Sequence, residues 1–336
     1  MRAVLTVGHG DRSQLQLRSD YPDPVPGPDE VIIRVAATAV NYHDIFTRRG
    51  MPGIKIPLPV VVGSDVAGEI VQLGSSVTGW ALGARVLVDP VIRDGKHFGM
   101  IGEVVDGGRA ELCKVPASQL IRVPAGVSLE DAASLPLAYG TAYRMMIDRG
   151  RVATGERVVV LGASGGVGVA CVQLGKLLGA EVVACASSAA KLTRLKALGA
   201  DHCVEYTTTK FVDAVRQIYG KPRISGGGGV DVVVNFTGGD TWIDSQKCLR
   251  VGGRILTCGA TAGFELSTDA RYLWTYEQEM IGSNGWTVEG LVKLMELIES
   301  RQLCPVIDEV LPLEEAAEGE RLLEDREVFG KVLIRP

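Results

Sequence analysis

No two of the seven cysteines in this 336-residue chain form a CxxC pair. Cys113, Cys171, Cys185, Cys203, Cys248, Cys258 and Cys304 are scattered, most of them in apolar segments. An odd, dispersed set argues against a disulfide framework and a zinc ribbon, and predicts reduced, mostly buried thiols. Long apolar runs are also missing, since glycine or charge interrupts each one, so no transmembrane helix is expected. The opening MRAVLTVGHGDRS lacks the apolar core and cleavage site of a signal peptide, which makes a cytoplasmic protein the expectation. Charge of one sign is not in excess: 35 Lys and Arg against 40 Asp and Glu leave a net charge of −5. That balance offers nothing to a nucleic acid or a membrane surface. No fixed-period repeat is visible, and the one biased patch, SGGGG at 225–229, reads as a flexible loop before a strand.

What is present is turn-rich and long enough for two domains: 42 glycines and 46% hydrophobic residues. The first third reads as short strands and turns, with MRAVLTV, EVIIRVAATAV and ARVLVDP as strands and DPVPGPDE as a turn cluster. From about residue 123 the rhythm changes to alternating strands and helices. RVVVL leads into a glycine turn and a helix that stops at Gly179. EVVACA is followed by a helix over about 189–198, closed by Gly199. HCVEY, a helix in TKFVDAVRQIYG, VDVVVNF, a helix near 242–249 and GRILTCG complete the series. This alternation predicts an α/β fold with a doubly wound parallel sheet. The last helix, VEGLVKLMELIESRQ, and the strand KVLIRP are expected to return to the first domain. The expected organisation is therefore a mostly β catalytic domain over 1–123, a Rossmann dinucleotide-binding domain over 124–283, and a return to the catalytic domain over 284–336.

The turn itself, Ala163-Ser164-Gly165-Gly166-Val167-Gly168, lies directly between strand and helix. Gly165 would let backbone approach a pyrophosphate, and Gly168 would let the helix pack on the strand. The helix start, with Gly166 and Val167, offers free N–H groups and a positive dipole end to phosphate. Ala163 stands in the first glycine position, so the match to a G-x-G-x-x-G string is imperfect. A dinucleotide with a plain ribose is usually held by a carboxylate some 20 residues later. Here the second strand ends at Ala186-Ser187-Ser188, without an acid. A 2′-phosphate would be repelled by a carboxylate and welcomed by hydroxyls and a cation, which Ser187, Ser188 and Lys191 supply. NADP(H) is the expected cofactor; the bland alternative makes Lys191 a solvated helix residue.

Several segments resemble the medium-chain dehydrogenase/reductase superfamily, particularly its zinc-independent, quinone-oxidoreductase-like branch. They are AVNYHD at 39–44, PLPVVVGSDVAGEIVQLG, DGGRAELCKVPA, GERVVVLGASGGVG, KALGADHCVEY and VGGRILTCGA, and the likeness covers essentially the whole chain. The resemblance implies a GroES-like catalytic domain around the Rossmann domain, NADPH as cofactor, and contacts to its adenosine phosphate from Lys191 and Tyr206. The alcohol-dehydrogenase branch carries a catalytic zinc, yet its first two ligand places hold Asn41 and Ser64 here, and the third region offers Tyr139 and no thiol. Zinc needs three converging N, S or carboxylate ligands, so no metal is expected, with His43, Asp65 and His97 as the remaining candidates for some other site.

Without a Lewis acid the substrate must already accept a hydride well, as a quinone or an α,β-unsaturated carbonyl or enoyl compound does. The protein would place it, donate hydrogen bonds to the developing oxyanion and exclude water. Asn41 and Tyr42, in the branch's N-Y-x-D string, are the candidate donors; Asp44 is expected to brace their loop. His43 has a suitable pKa for proton transfer unless it points elsewhere. The resemblance places Tyr139 and Thr141 facing substrate or cofactor, and the nicotinamide against two loops, NFTGG with Phe236 and Thr237, and CGATAG with Cys258, Gly259 and Ala260. Ser283 and Asn284, in GSNGW, are further cofactor candidates. Trp274 and Tyr276 suggest an oligomer surface, because superfamily members commonly form homodimers or homotetramers. Two other readings stay open: a zinc-less alcohol or ketone dehydrogenase, and an NADPH-binding structural or regulatory protein without turnover.

Overall fold

The computed structural model describes residues 1–51, 55–93 and 99–336. His97 lies outside the described residues. Packing divides the chain into two units, Met1–Leu137 with Leu291–Pro336, and Ala138–Gly290.

The N-terminal segment carries β1 (Ala3–Thr6), β2 (Leu15–Arg18), β3 (Glu30–Ala39), helix α1 (Tyr42–Arg49), β4 (Val60–Val61), β5 (Asp65–Leu73), β6 (Arg85–Val88), β7 (Leu112–Pro116), β8 (Leu120–Arg122) and α2 (Leu129–Ala133). The second unit runs through α3 (Thr141–Tyr143), β9 (Arg157–Val160), α4 (Gly166–Leu177), β10 (Glu181–Ala186), α5 (Ala189–Ala197), β11 (His202–Glu205), α6 (Phe211–Tyr219), β12 (Val230–Val234), α7 (Thr241–Gln246), β13 (Leu249–Thr257), α8 (Ala270–Thr275) and β14 (Glu279–Gly282). Then come α9 (Val288–Glu299), β15 (Ile307–Pro312), α10 (Ala316–Glu324) and β16 (Lys331–Arg335).

In the first unit, β3 is the organising strand. It pairs antiparallel with β5, β7 and β16, in a sheet ordered β15-β16-β3-β5-β6-β8. Val31, Ile33, Val35, Val66, Ile70, Val86, Val88 and Val115 form its core. The C-terminal strand β16 pairs with β3 in the first unit, with Ile334 opposite Thr38. The expected boundaries, 123 and 283, fall somewhat earlier than the packing boundaries. The reason is α2, which packs on β3, β5 and β6 and buries Ala132 and Ala133 there, although its sequence reads as the start of the α/β alternation.

The second unit is built on a six-stranded parallel sheet ordered β11-β10-β9-β12-β13-β14. Counted from β9, that is 3-2-1-4-5-6, the order of a dinucleotide-binding Rossmann sheet. Its central strands are covered on both faces, so VDVVV of β12 is buried throughout and carries no polar alternation. Two local expectations change. The helix near 242–249 stops at Gln246, because Leu249 already opens β13, which turns through Gly252 at φ +71°. The 225–229 patch is a built turn: Gly226 to Gly229 all hold φ between +70° and +94°, and a Cβ on Gly228 would lie 2.3 Å from the Lys221 carbonyl. Among the described residues, no helix is long and apolar enough to cross a membrane. Cys113, Cys171, Cys185 and Cys248 are buried, Cys203 and Cys258 half-buried, and Cys304 exposed.

Candidate functional site

In the second unit, β9 and β12 meet where the strand order reverses, with Val160 paired to Val234. In open α/β sheets ligands gather outside the carboxyl ends at this switch. The glycine turn leaves β9 there and enters α4. Its N-cap, Gly165, has no side chain closing the helix, so the first-turn N–H groups of Gly166 and Val167 face no capping group. A Cβ on Gly165 would meet only the Gly162 carbonyl, at 3.7 Å, so the space above it is open. A Cβ on Gly168 would lie 2.3 Å from that same carbonyl, so this position needs glycine for helix–strand packing. The packing role inferred for Gly168 from the sequence has a geometric basis.

One strand over, β10 and β11 end side by side, Ala186 opposite Glu205, and the Tyr206 N–H donates to the Ala186 carbonyl at 3.1 Å. Ser187, Ser188 and Tyr206 are thereby brought together. Ser188 also caps α5, its Oγ accepting the Lys191 N–H at 3.4 Å. Lys191 sits on the first turn of that helix, half-buried, and Tyr206 is exposed.

The two loops read as nicotinamide-side are joined to each other. The Thr261 N–H donates to the Phe236 carbonyl at 3.2 Å and the Ala262 N–H to the Thr237 carbonyl at 2.7 Å. Phe236 also comes within 3.3 Å of the Cβ position of Gly162, which sets its ring against the glycine turn. Cys258 and Ala260 are half-buried and Gly259 exposed in the second loop. Ser283 follows β14, its N–H bonded to the Thr257 carbonyl at 2.9 Å. Its hydroxyl is buried with no hydrogen-bond partner, while Asn284 is exposed. Tyr139 is wholly buried, and Gln173 donates to its hydroxyl at 3.2 Å. Thr141, two residues on, is half-buried at the start of α3. Trp274 is exposed, and Tyr276 stacks on Tyr272 at 5.6 Å.

In the first unit the NYHD string forms the start of α1. Asp44 accepts the Asn41 backbone N–H at 2.9 Å and an Arg109 N–H at 2.7 Å, so it braces the loop as expected from the sequence. Asn41 is buried, and its amide is engaged on both sides: Nδ2 donates to Asp65 at 2.9 Å and Oδ1 accepts from Lys331. The expected role as an oxyanion donor is therefore not the one its geometry favours; Asn41 is a fixed element of the loop. Asp65 also accepts the Leu137 N–H at 3.0 Å and lies 3.6 Å from the Lys331 ammonium. Burial pushes its carboxyl up to about 6, against the pull of Lys331, Asn41 and Leu137. Burial likewise lowers Lys331, with Asp65 and Asp44 opposing. Tyr42 packs edge-on against Phe46 at 5.4 Å. The His43 Nε2 lies 3.3 Å from Glu103, and its ring is 24% exposed. Ser64 is buried with its hydroxyl unpartnered. Among the described residues no cluster of His, Cys, Asp and Glu could hold a metal ion.

Behind the loop lies an ion network in which Arg48, Arg109 and Glu320 are wholly buried. Arg109 and Arg48 both bind Glu320, at 2.6 and 2.7 Å, and Arg48 also binds Glu324 at 2.8 Å. Sequence reasoning did not single out Glu103, Arg109, Glu320 or Lys331 as site residues. The one available signal was a lysine in otherwise apolar surroundings, VFGKVLI, where an unpaired charge would be costly to bury.

A Rossmann sheet opened by an uncapped glycine turn, carried with a GroES-like β unit, defines a dehydrogenase- or reductase-type oxidoreductase that uses a nicotinamide cofactor. Residues 27–125 match the family described as "Alcohol dehydrogenase GroES-like domain", and residues 166–300 the one described as "Zinc-binding dehydrogenase". The acryloyl-coenzyme A reductase of Sulfurisphaera tokodaii is 31% identical over 351 residues, covering 100% of both chains. A solved NAD-dependent alcohol dehydrogenase superposes with a TM-score of 0.92 at 37% identity, again covering 100% of both chains. The 2-octenoyl-CoA carboxylase reductase CinF, solved in complex with NADP and 2-octenoyl-CoA, superposes at 0.85 with 30% identity, covering 99% of this chain and 87% of that one. The chain belongs to the medium-chain dehydrogenase/reductase superfamily, in its quinone-oxidoreductase-like branch.

Proposed function

We propose that this protein is a zinc-independent reductase that uses NADPH to reduce a quinone or an α,β-unsaturated carbonyl or enoyl compound. The observation that carries the zinc-free reading is the state of Asn41. Its carbonyl oxygen is taken by a buried ammonium and its amide nitrogen by a buried carboxylate, so neither is left to face a metal. A Lys331 ammonium that close is itself a cation, and a second one beside it would be strongly repelled. The donor set does not fit zinc, and electron-poor acceptors are the substrates that need none. The alcohol dehydrogenases among the structural relatives leave the acceptor class to experiment.

The second unit suits a dinucleotide. Ser164, Gly165, Gly166 and Val167 would hold the pyrophosphate at the open, uncapped start of α4. Ser187, Ser188, Lys191 and Tyr206 would receive a 2′-phosphate, with no carboxylate at the end of β10 to repel it. Phe236, Thr237, Cys258, Gly259, Ala260, Ser283, Asn284 and Thr141 would flank the nicotinamide, and the orphaned Ser283 hydroxyl is a buried donor that a carboxamide would satisfy. When bound, the cofactor supplies the hydride. Tyr42 would wall the acceptor and donate to its oxygen, in the loop that Asp44, Asp65 and Lys331 keep rigid.

The test is NADPH oxidation against a panel of quinones, enones and enoyl thioesters, with products identified by mass and metal content measured in the same preparation. Reduction of C=C bonds or quinones by protein lacking stoichiometric zinc is expected. One zinc per chain, or tight NADPH binding with no acceptor turned over, would overturn the reading.

A further inference from the structure

We propose that His43 and Glu103 form a proton-delivery pair, Glu103 holding the imidazole through Nε2 while Nδ1 hands over the proton that completes the reduction. This rests on the reductase reading above and adds the residue that supplies the second hydrogen.

The geometry is that of a carboxylate–imidazole dyad. Glu103 is 3% exposed, and its two oxygens are committed separately: Oε1 lies 3.3 Å from His43 Nε2, and Oε2 accepts the Met100 N–H at 3.0 Å. That second bond fixes the carboxylate, so the ring is held in one orientation from the Glu103 side. Among the described residues Nδ1 has no hydrogen-bond partner, and a ring 24% exposed can reach a ligand without being wholly solvated. His43 follows Tyr42 directly on the first turn of α1. A structural histidine would be expected to engage both nitrogens or to lie fully buried; this one is gripped at one end and left available at the other.

The charges around it favour the acid form. Burial works against imidazolium, but Glu103 from the 99–108 loop, Asp44 on the same helix and Asp65 at the start of β5 together raise the pKa of His43 above its ordinary value. Lys331 and Arg109 are cations of this neighbourhood, and both are engaged, Lys331 with Asn41 and Asp65 and Arg109 with Asp44 and Glu320. The imidazolium form is therefore favoured relative to a free imidazole.

Arrival of a hydride at the β-carbon pushes the C=C electron pair towards the carbonyl and leaves an enolate. The Nδ1–H bond of His43 breaks, the proton goes to the α-carbon, and the neutral imidazole stays bonded to Glu103 until solvent reprotonates it. With a quinone, the same proton goes to the hydroquinone oxygen.

The experiment compares wild type, His43→Gln and Glu103→Gln by steady-state kinetics across pH, and titrates the His43 imidazole by NMR in the cofactor-free protein. For His43→Gln, kcat should fall by roughly 100-fold or more, the scale of general-acid catalysis, with KM little changed and the alkaline fall in rate abolished. In wild type the NMR titration should lie above about 6.5, the unperturbed value, and Glu103→Gln should lower it and move the alkaline limb to lower pH with it. A His43→Gln enzyme with wild-type kcat and pH profile would sink the proposal, as would an imidazole titrating no higher than the unperturbed value. Failure of the wild type to oxidise NADPH with any acceptor would instead remove the reductase reading, and the delivery step with it.

Discussion

Arg109 and Glu320 stand 211 residues apart in sequence and 2.6 Å apart in the fold, both wholly buried. Arg109 links Glu320 to Asp44, and so ties helix α10 to the loop that carries Asn41, Tyr42 and His43. Glu320 also binds Arg48, so removing this one carboxylate takes a buried partner from two buried guanidinium groups and leaves Arg109 with Asp44 and Arg48 with Glu324. Glu320→Ala should destabilise the protein by about 3–5 kcal/mol, as breaking a buried charge pair does. Urea unfolding checks it; a loss under about 1 kcal/mol, the scale of an exposed pair, would mean that water reaches the network.

The two glycines of the turn should separate binding from folding. Gly168→Ala drives a Cβ into backbone at 2.3 Å and should lower stability by a few kcal/mol, about the scale of overpacking. Gly165→Ala has room in the free protein and an ordinary φ of −80°, so its stability should change by no more than about 1 kcal/mol. It nevertheless places a methyl group where phosphate would approach. Calorimetric titration should find NADPH binding lost in Gly165→Ala; unchanged affinity would contradict the assigned phosphate position.

Lys191→Ala tests the choice of dinucleotide. Loss of a charge-assisted bond to the 2′-phosphate should weaken NADPH by roughly 10- to 100-fold and leave NADH nearly untouched. Equal effects on both, read by fluorescence titration, would refute the assignment.

Asp65 should leave a signature in stability against pH. Its carboxyl takes up a proton near 6 in the folded chain, and near the ordinary ~3.9 once unfolded. Between those values the folded state binds more protons, so this contribution to stability is complete below the unfolded pKa and is lost as pH rises through 6. The swing is about 3 kcal/mol. Asp65→Asn should remove it: relative to the variant, wild type should lose stability on going from about pH 4 to about pH 7. Parallel curves for the two proteins would show that Asp65 does not titrate there.

How far the sequence could be read depended on the range of the interactions. The alternation from EVVACA through GRILTCG, the glycine turn and the gap after Ala186 are local patterns, set by strand periodicity, steric access at glycine and the charge of neighbouring side chains. They were enough for the Rossmann sheet, for a dinucleotide and for the expectation of a 2′-phosphate. The α2 segment reads as part of that alternation because its own pattern is helical whichever sheet it packs on.

Burial and partnership are non-local and could not be read in that way. The string NYHD marks the loop that opens α1, yet nothing within it reveals that Lys331 and Asp65 would take both ends of the Asn41 amide, or that Gln173 would donate to the Tyr139 hydroxyl. Nor does it reveal Glu103, 60 residues from His43. A hydrogen-bonding group is defined by what lies within 3 Å or so of it once water is excluded, and that neighbourhood is assembled from β5, β16 and the 99–108 loop only on folding. Sequence alone determined the architecture and the class of cofactor, because backbone periodicity and steric access encode them locally. Tertiary structure decided which side chains of the NYHD loop are held and which nitrogen of His43 remains available, because those depend on contacts between distant segments.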